Sequence, residues 1–447
     1  MLDNLTQHLQ SLQYVFTTPL GLTAVVLGGV ATIAAFASSA ARWGMLAVVL
    51  WLSTFGINDD PWINHTLVPP LEQLREMSRP LFVVGMLMIA AVFGIAERSA
   101  PYRTLHPGSL LLAMLHVALA ARLAAEGYLD RGFAGMFVHA SVFIAIAVNC
   151  ANRMHSFSAM RATLQALALS GVLFTVAMLV QALLRPSAAV WMNRLFGITG
   201  NPQHAAQFLC LFMLPTLYLA TNAPTRRPVR TFLYVLLSLQ AMMLLWTGSR
   251  TGILMLLVGL LLYYRLQIHR LVLSAILVGI AMLGVLMLVG ETDVTSGWGR
   301  VFSTENTRAG AWTLELRAFL ASPWFGNPEL LANGTPLFRE TSYLAAAKTT
   351  GVIGLMLMGA AVVSHMVIAW GVVRNTRGCA PEVSRLTDLI FAMVCMIAAG
   401  ALFEAYLMAT VAPAYVVLYL IGGLAMQLRA ASQAARTDVP HASLAAT

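Results

Sequence analysis

Long apolar runs, each closed by a short polar stretch, repeat along almost the whole chain. A run of about 20 apolar residues matches the ~30 Å hydrocarbon core of a bilayer, where only a helix can satisfy its own backbone groups. The pattern predicts 13 spans, near residues 20–41, 43–57, 80–96, 108–125, 132–150, 163–184, 203–221, 231–247, 250–264, 270–290, 343–370, 387–407 and 411–428. The first two and the pair across 231–264 are the least well separated. The expectation is therefore an all-α polytopic membrane protein of about 12–14 transmembrane helices.

One long hydrophilic segment interrupts the pattern. It divides the chain into a bundle of about ten spans over 1–290, a loop over 291–342, C-terminal transmembrane helices over 343–428 and a polar tail over 429–447, expected to be disordered. About 50 residues is long for a connection, and such loops usually carry function or lack order. Trp298, Phe302, Trp312, Phe319, Trp324, Phe325 and Phe338 argue for order. Trp312, Leu316 and Phe319, at spacings of four and three, predict an amphipathic helix over 308–320, part of a small helical cap on the membrane face. The alternative is that these aromatics form an interfacial belt.

Composition fits this pattern: 59% of residues are hydrophobic and only 10% charged, against about 25% charged in a soluble domain. The net charge of +9 therefore needs no nucleic acid to explain it. With alternating spans, Arg42, Arg98, Arg103, Arg153, Arg161, the 226–230 and 265–270 clusters and the arginines after 373 share one side. That side holds 15 Arg against four acids, and the other holds 11 Arg plus Lys348 against 14 acids. The positive-inside rule makes the first side cytoplasmic. It puts both 291–342 and a shorter loop, 58–79, outside the cytoplasm. The four cysteines, Cys150, Cys210, Cys379 and Cys395, show no metal or redox spacing. Residues 1–18 lack a basic start and a small-residue cleavage site, so the first apolar run is expected to be retained.

Arg194, Arg250, Arg300, Arg308, Arg317 and Arg339 then stand on the outward side, against the topological bias. An anionic ligand is the simplest reason for guanidinium groups there. Arg250 lies in Thr247, Gly248, Ser249, Arg250, Thr251 and Gly252, a polar break where the chain turns back into the membrane. Ser249 can cap a helix beginning at Arg250, leaving backbone N–H groups beside a guanidinium, a combination suited to phosphate. The alternative is an arginine snorkelling at a helix end. A second break, Gly200, Asn201, Pro202, Gln203, opens the next span, where His204 and Gln207 share a face that can line a polar cavity, although His204 can equally be an interfacial hydrogen-bonding group.

The third constellation is Arg339, Glu340, Thr341, Ser342 and Tyr343, with Lys348 and Gly351 following. Glu340 is available as a base, although flanking cations lower its basicity. It can equally be an acid complementing a helix N-terminus, with Lys348, the chain's single lysine, snorkelling. Glu404 stands inside an apolar run, where a carboxylate is costly, and is expected to face a cavity and pair with one of the arginines.

Taken together, Trp246 to Gly252, Gly200–Asn201–Pro202 with Ala205 and Leu209, Arg308 and Trp312 with Pro323, Phe325 and Gly326, and Tyr343, Leu344, Gly351, Ile353 and Gly354 follow a recognisable order. Over residues 195–375 the chain resembles the O-antigen ligase and polysaccharide polymerase (Wzy-like, WaaL-like) superfamily of bacterial membrane glycosyltransferases. The resemblance implies a GT-C-type enzyme of the inner membrane, without metal, cofactor or nucleotide sugar. Such enzymes take a glycan from an undecaprenyl-diphosphate carrier and transfer it to an acceptor hydroxyl at the periplasmic face.

It implies that Arg194, Arg250, Arg308, Arg339 and Lys348 hold the diphosphate. Glu340 and Arg250 would act in catalysis, with His204, Gln207, Arg300, Arg317, Tyr343 and Glu404 lining the substrate cavity. Family members carry a His-Asn pair where this chain has Glu340 and Thr341. Ligases keep that histidine, so the departure favours a polymerase of lipid-linked repeat units, of the xanthan exopolysaccharide type, over a ligase acting on lipid A core. The implied partners are the lipid-linked oligosaccharide, the bilayer and a chain-length regulator. A lipid-linked glycan transporter or flippase is the alternative of another class, but the chain shows no internal repeat of broken helices.

Overall fold

A computed structural model describes residues 19–56, 65–95, 105–222, 226–267, 269, 272, 308–327, 341–376, 379–409 and 411–437. Most of the 291–342 loop, with Arg300, Arg339 and Glu340, lies outside them, as do all of the expected span at 270–290 except residue 272 and the end of the C-terminal tail.

The described chain is helical almost throughout. Its helices are α1 (Pro19–Ala37), α2 (Ser39–Leu52), α3 (Pro69–Ile95), α4 (Pro107–Ala125), α5 (Leu129–Val142), α6 (Phe157–Leu184), α7 (Pro202–Asn222), α8 (Arg227–Trp246), α9 (Arg250–Tyr263), α10 (Ala309–Ala321), α11 (Ser342–Asn375), α12 (Pro381–Ala401) and α13 (Pro413–Thr437). A π-helix, Phe143–Cys150, and a short 3₁₀ turn continue α5 to Arg153. Among the described residues, nine helices are long and apolar enough to cross a membrane, and α1, α2 and α9 are shorter apolar helices. The protein is an all-α polytopic membrane protein. Its only described strands, β1 (Val190–Trp191) and β2 (Arg194–Leu195), form one antiparallel hairpin.

Burial divides the bundle into inner and outer helices. α7 and α13 are enclosed, with Leu209, Phe212, Tyr415 and Tyr419 almost inaccessible. α8 and α11 instead expose Val235, Phe232, Val363 and Val367, as expected of side chains facing lipid, where an exposed apolar surface carries no penalty. α7 packs against α6, α8, α9 and α12, and α4 packs most extensively on α11.

Two boundaries differ from the hydropathy reading, each for a local reason. The polar stretch 69–79, expected in a loop, is the first part of α3. The Glu72 carboxylate accepts from the Leu67 backbone N–H at 2.7 Å and pairs with Arg75 one turn on, which starts the helix before its apolar run begins. Pro80 is accommodated inside it. At the other boundary, α12 ends at Ala401, not near 407, so Glu404 sits in a non-helical turn before the 3₁₀ turn Tyr406–Met408.

α10 also differs in which face it buries. Ala311 and Glu315 are enclosed, Trp312 and Phe319 are half-buried, and Leu316 is exposed. Lys348 on α11 explains the rotation: its ammonium meets the Glu315 carboxylate at 2.5 Å, with both side chains almost fully buried. A charged pair of this kind is costly to separate inside a protein, so it overrides the apolar spacing.

The polar contacts sort into two ends. Arg265 pairs with Asp388 at 2.6 Å and Arg161 with Glu382 at 3.6 Å at one end. The Tyr218 hydroxyl donates to the Glu382 carbonyl there as well. At the other end Arg194 meets Thr247, Arg308 meets Glu404, and Ser342 meets the Glu404 carbonyl.

Candidate functional site: an arginine recess between two helix starts

The recess is built by two helix starts. Ser249 precedes α9 in extended conformation (φ −88°, ψ 106°), and its hydroxyl accepts from the Gly252 N–H at 3.2 Å. Gly248 turns the chain with φ +59°, a left-handed conformation that glycine adopts without strain. α8 and α9 therefore meet at the turn the sequence pattern anticipated, and Arg250 becomes the first residue of α9. Gly252 also brings α9 against α7, since a side chain there would collide with Ala206.

α7 starts beside it. The Asn201 side-chain oxygen accepts from the Gln203 N–H at 2.8 Å, and the Thr199 hydroxyl donates to the Phe196 and Asn201 carbonyls at 2.8 Å each. The first turns of both helices thus present backbone N–H groups, each with the partial positive charge of a helix start.

Three guanidinium groups enter the same space from separate elements. Arg194 comes from the β1–β2 hairpin, whose two turn residues, Met192 and Asn193, both have positive φ (47° and 55°), the conformation of a tight turn matched to strand twist. Arg194 is 5% exposed, and its Nε donates to the Thr247 carbonyl at 2.8 Å. Arg250 comes from the start of α9, and Arg308 from the residue before α10. Together with Gln203, Gly248, Ser249 and Thr251 these three arginines line one recess. Among the described residues, the lining contains three cations and no carboxylate. Glu404, which does not line it, pairs with Arg308, and Arg308 also donates to the Phe403 carbonyl.

The other expected site residues fall into three groups. Glu404 is paired with an arginine as its apolar surroundings required, and it stands next to the recess rather than inside a span. Lys348 is not at the recess: it is fully buried against Glu315. Arg317 is exposed on α10, and Tyr343 is half-buried one residue into α11; neither lines the recess. His204 and Gln207 differ in burial, and neither lines the recess. His204 is exposed and stacks on Phe208 with ring centroids 6.3 Å apart, whereas Gln207 is 2% exposed with an amide nitrogen lacking a partner among the described residues. Arg300, Arg339 and Glu340 lie outside the described residues, while their neighbour Thr341 caps α11 by accepting from the Tyr343 N–H at 3.2 Å. Comparison with known families and with characterised proteins gives no match to this chain.

The arrangement is suited to one chemical task, gripping a compact, multiply charged anion. Planar guanidinium groups give paired charge-assisted hydrogen bonds to phosphate oxygens, and helix starts add N–H donors without a counter-charge. The site lies at one end of the bundle, where α7 and α9 descend from it into the core.

Two stacked histidine pairs escaped the sequence pattern. His116 and His139 stack at 3.7 Å with rings 5° from parallel, and His106 and His365 stack at 4.0 Å. Their partners are on different helices, and no short-range spacing announces them. The hairpin was missed as well, because its turn is Met-Asn rather than a glycine-containing dipeptide.

Proposed function

We propose that this protein is an inverting, metal-independent glycosyltransferase of the bacterial inner membrane that joins undecaprenyl-diphosphate-linked oligosaccharide repeat units at the periplasmic face. The observation that carries the reading is the recess itself: Arg194, Arg250 and Arg308 converge between two helix starts, with no carboxylate among the described residues of the lining. The order of motifs around it resembles the Wzy-like superfamily, and Glu340 in place of the family histidine favours a polymerase.

The chemistry is one displacement. The acceptor hydroxyl oxygen attacks the anomeric carbon as the bond from that carbon to the diphosphate oxygen breaks, and the electron pair leaves with the diphosphate. Charge develops on that leaving oxygen, so preorganised guanidinium and backbone N–H donors lower the barrier where the charge appears. The hydroxyl proton passes to a carboxylate, for which Glu340 is the candidate. Backside attack inverts the anomeric centre.

The test uses the purified full chain with synthetic undecaprenyl-diphosphate-linked repeat units as the only substrate. A ladder of polymers supports polymerisation. Product that appears only when lipid A core is added makes the protein a ligase, and movement of intact substrate across proteoliposomes without new bonds makes it a transporter. Arg250→Ala is expected to lower turnover by about a hundredfold or more while expression stays normal. Turnover near that of the wild type removes Arg250 from the site. Glu340→Gln is expected to lower turnover with little change in KM, and an unchanged rate assigns the proton to another group.

A further inference from the structure

The turn between α12 and α13 lies against the helix bundle, where backbone groups need internal partners because water is scarce. Side chains from separate elements provide them. Arg308 donates to the Phe403 carbonyl, and the Ser342 hydroxyl donates to the Glu404 carbonyl at 2.7 Å and accepts from the Leu407 N–H at 3.3 Å. His116, in the middle of α4, reaches the Leu407 carbonyl at 3.0 Å.

A carbonyl only accepts, so His116 Nε2 carries the proton in this bond and Nδ1 carries the lone pair. Nδ1 has no partner among the described residues, and neither has Nδ1 of His139. His139 on α5 lies flat on the His116 ring, and the Tyr415 ring of α13 contacts both at 5.6 and 5.5 Å. An apolar side chain would fill this space without leaving buried ring nitrogens unsatisfied, which is costly in a protein interior. What histidine adds is the single donor to Leu407. The contacts then run without a gap from His116 through the turn to Glu404, from Glu404 to Arg308, and from Arg308 to the recess.

We propose that His116 is a positioning residue of the arginine recess: by donating to the Leu407 carbonyl it fixes the turn whose Glu404 aims Arg308 at the bound anion. The proposal rests on the reading of the recess as an anion site, and its test separates the two. Farnesyl diphosphate serves as a lipid-diphosphate probe, with its Kd measured on the detergent-purified full chain. Arg250→Ala reports on the recess alone and is expected to abolish binding; if it binds as the wild type does, the anion reading and the proposal fall together.

With that control in place, His116→Leu is expected to weaken binding about five- to tenfold, and His116→Gln, whose amide N–H can replace Nε2, to restore most of it. Equal Kd values for wild type and His116→Leu overturn the positioning role while leaving the recess intact. A role confined to stability would lower the melting temperature of His116→Leu without altering Arg308, so a second readout is chemical. Phenylglyoxal modification, mapped by mass spectrometry, is expected to accelerate at Arg308 in His116→Leu and to stay unchanged at Arg265 at the far end. Unaltered Arg308 reactivity overturns the proposal. Should His116→Leu fail to fold, Ser342→Ala loosens the same turn and is expected to raise the Kd and speed Arg308 modification; no change in either overturns it.

Discussion

Beneath the hairpin that carries Arg194, His65 packs its ring edge against Phe196 at 5.4 Å, Nε2 donates to the Gly197 carbonyl at 3.3 Å, and Arg75 donates to Nδ1 at 3.1 Å. These bonds require the neutral ring. Burial, then the Arg75 charge, hold its pKa down at about 4 from 6.5, against a smaller opposing effect of the Gly197 bond. The unfolded chain takes up a proton as pH falls below 6.5, whereas the folded chain resists until about 4. The histidine's share of stability is therefore intact above pH 6.5 and is lost as pH falls from 6.5 towards 4. His65→Gln keeps a donor for Gly197 and removes the titration. The melting temperature of the wild type is expected to fall more steeply than that of His65→Gln over this interval, and parallel curves would show that His65 carries no such linkage. Legibility at this scale followed sequence distance. Ser249, Arg250 and Gly252 could be read because a helix cap is a contiguous pattern. The approach of Arg194 and Arg308 to them leaves no local pattern, because they lie 56 and 58 residues from Arg250 in the chain; their outward placement and the superfamily resemblance, not spacing, grouped the three.

Among the elements, α10 and α11 are joined by more than apolar contact. Asn327 donates to the Lys348 carbonyl and Val352 to the Pro323 carbonyl, each at 2.7 Å, so the chain after α10 docks on the broken point of α11. That break is at Gly351 (φ 71°, ψ −159°), where any side chain would collide with the Trp324 carbonyl. Lys348 and Glu315 lock the two helices just beside it. The spacing of Trp312, Leu316 and Phe319 suggested the wrong buried face because hydropathy gives no credit to a carboxylate whose cation is 33 residues away. Breaking one partner of a buried pair strands the other charge, so Lys348→Met is expected to cost about 3–5 kcal/mol, while Lys348→Met with Glu315→Leu recovers most of it. Thermal unfolding in detergent reads both. A single variant as stable as the wild type would mean that the pair does not hold α10 in place.

At the scale of the whole molecule, hydropathy was enough to read an all-α membrane fold, because a span must be long, apolar and self-satisfied whatever it packs against. The charge sorting concerns sidedness, and here the native cysteines provide a direct measurement. Cys379 is exposed in the connection between α11 and α12, flanked by Arg374 and Arg385, whereas Cys150, Cys210 and Cys395 are buried. Trp324, 71% exposed, follows α10, the helix whose first end carries Arg308, and packs its backbone against Gly351 of α11. If the arginine-rich end faces the cytosol, a membrane-impermeant maleimide applied to spheroplasts is expected to leave Cys379 unlabelled until the membrane is opened. A Trp324→Cys variant, made on a Cys379→Ser background, is expected to label at once. The reverse pattern would turn the recess towards the cytosol. A lipid-linked repeat unit presented at the periplasmic face could not then reach Arg194, Arg250 and Arg308, and the proposed polymerisation would fail on geometry alone, whatever the affinity of the recess for phosphate.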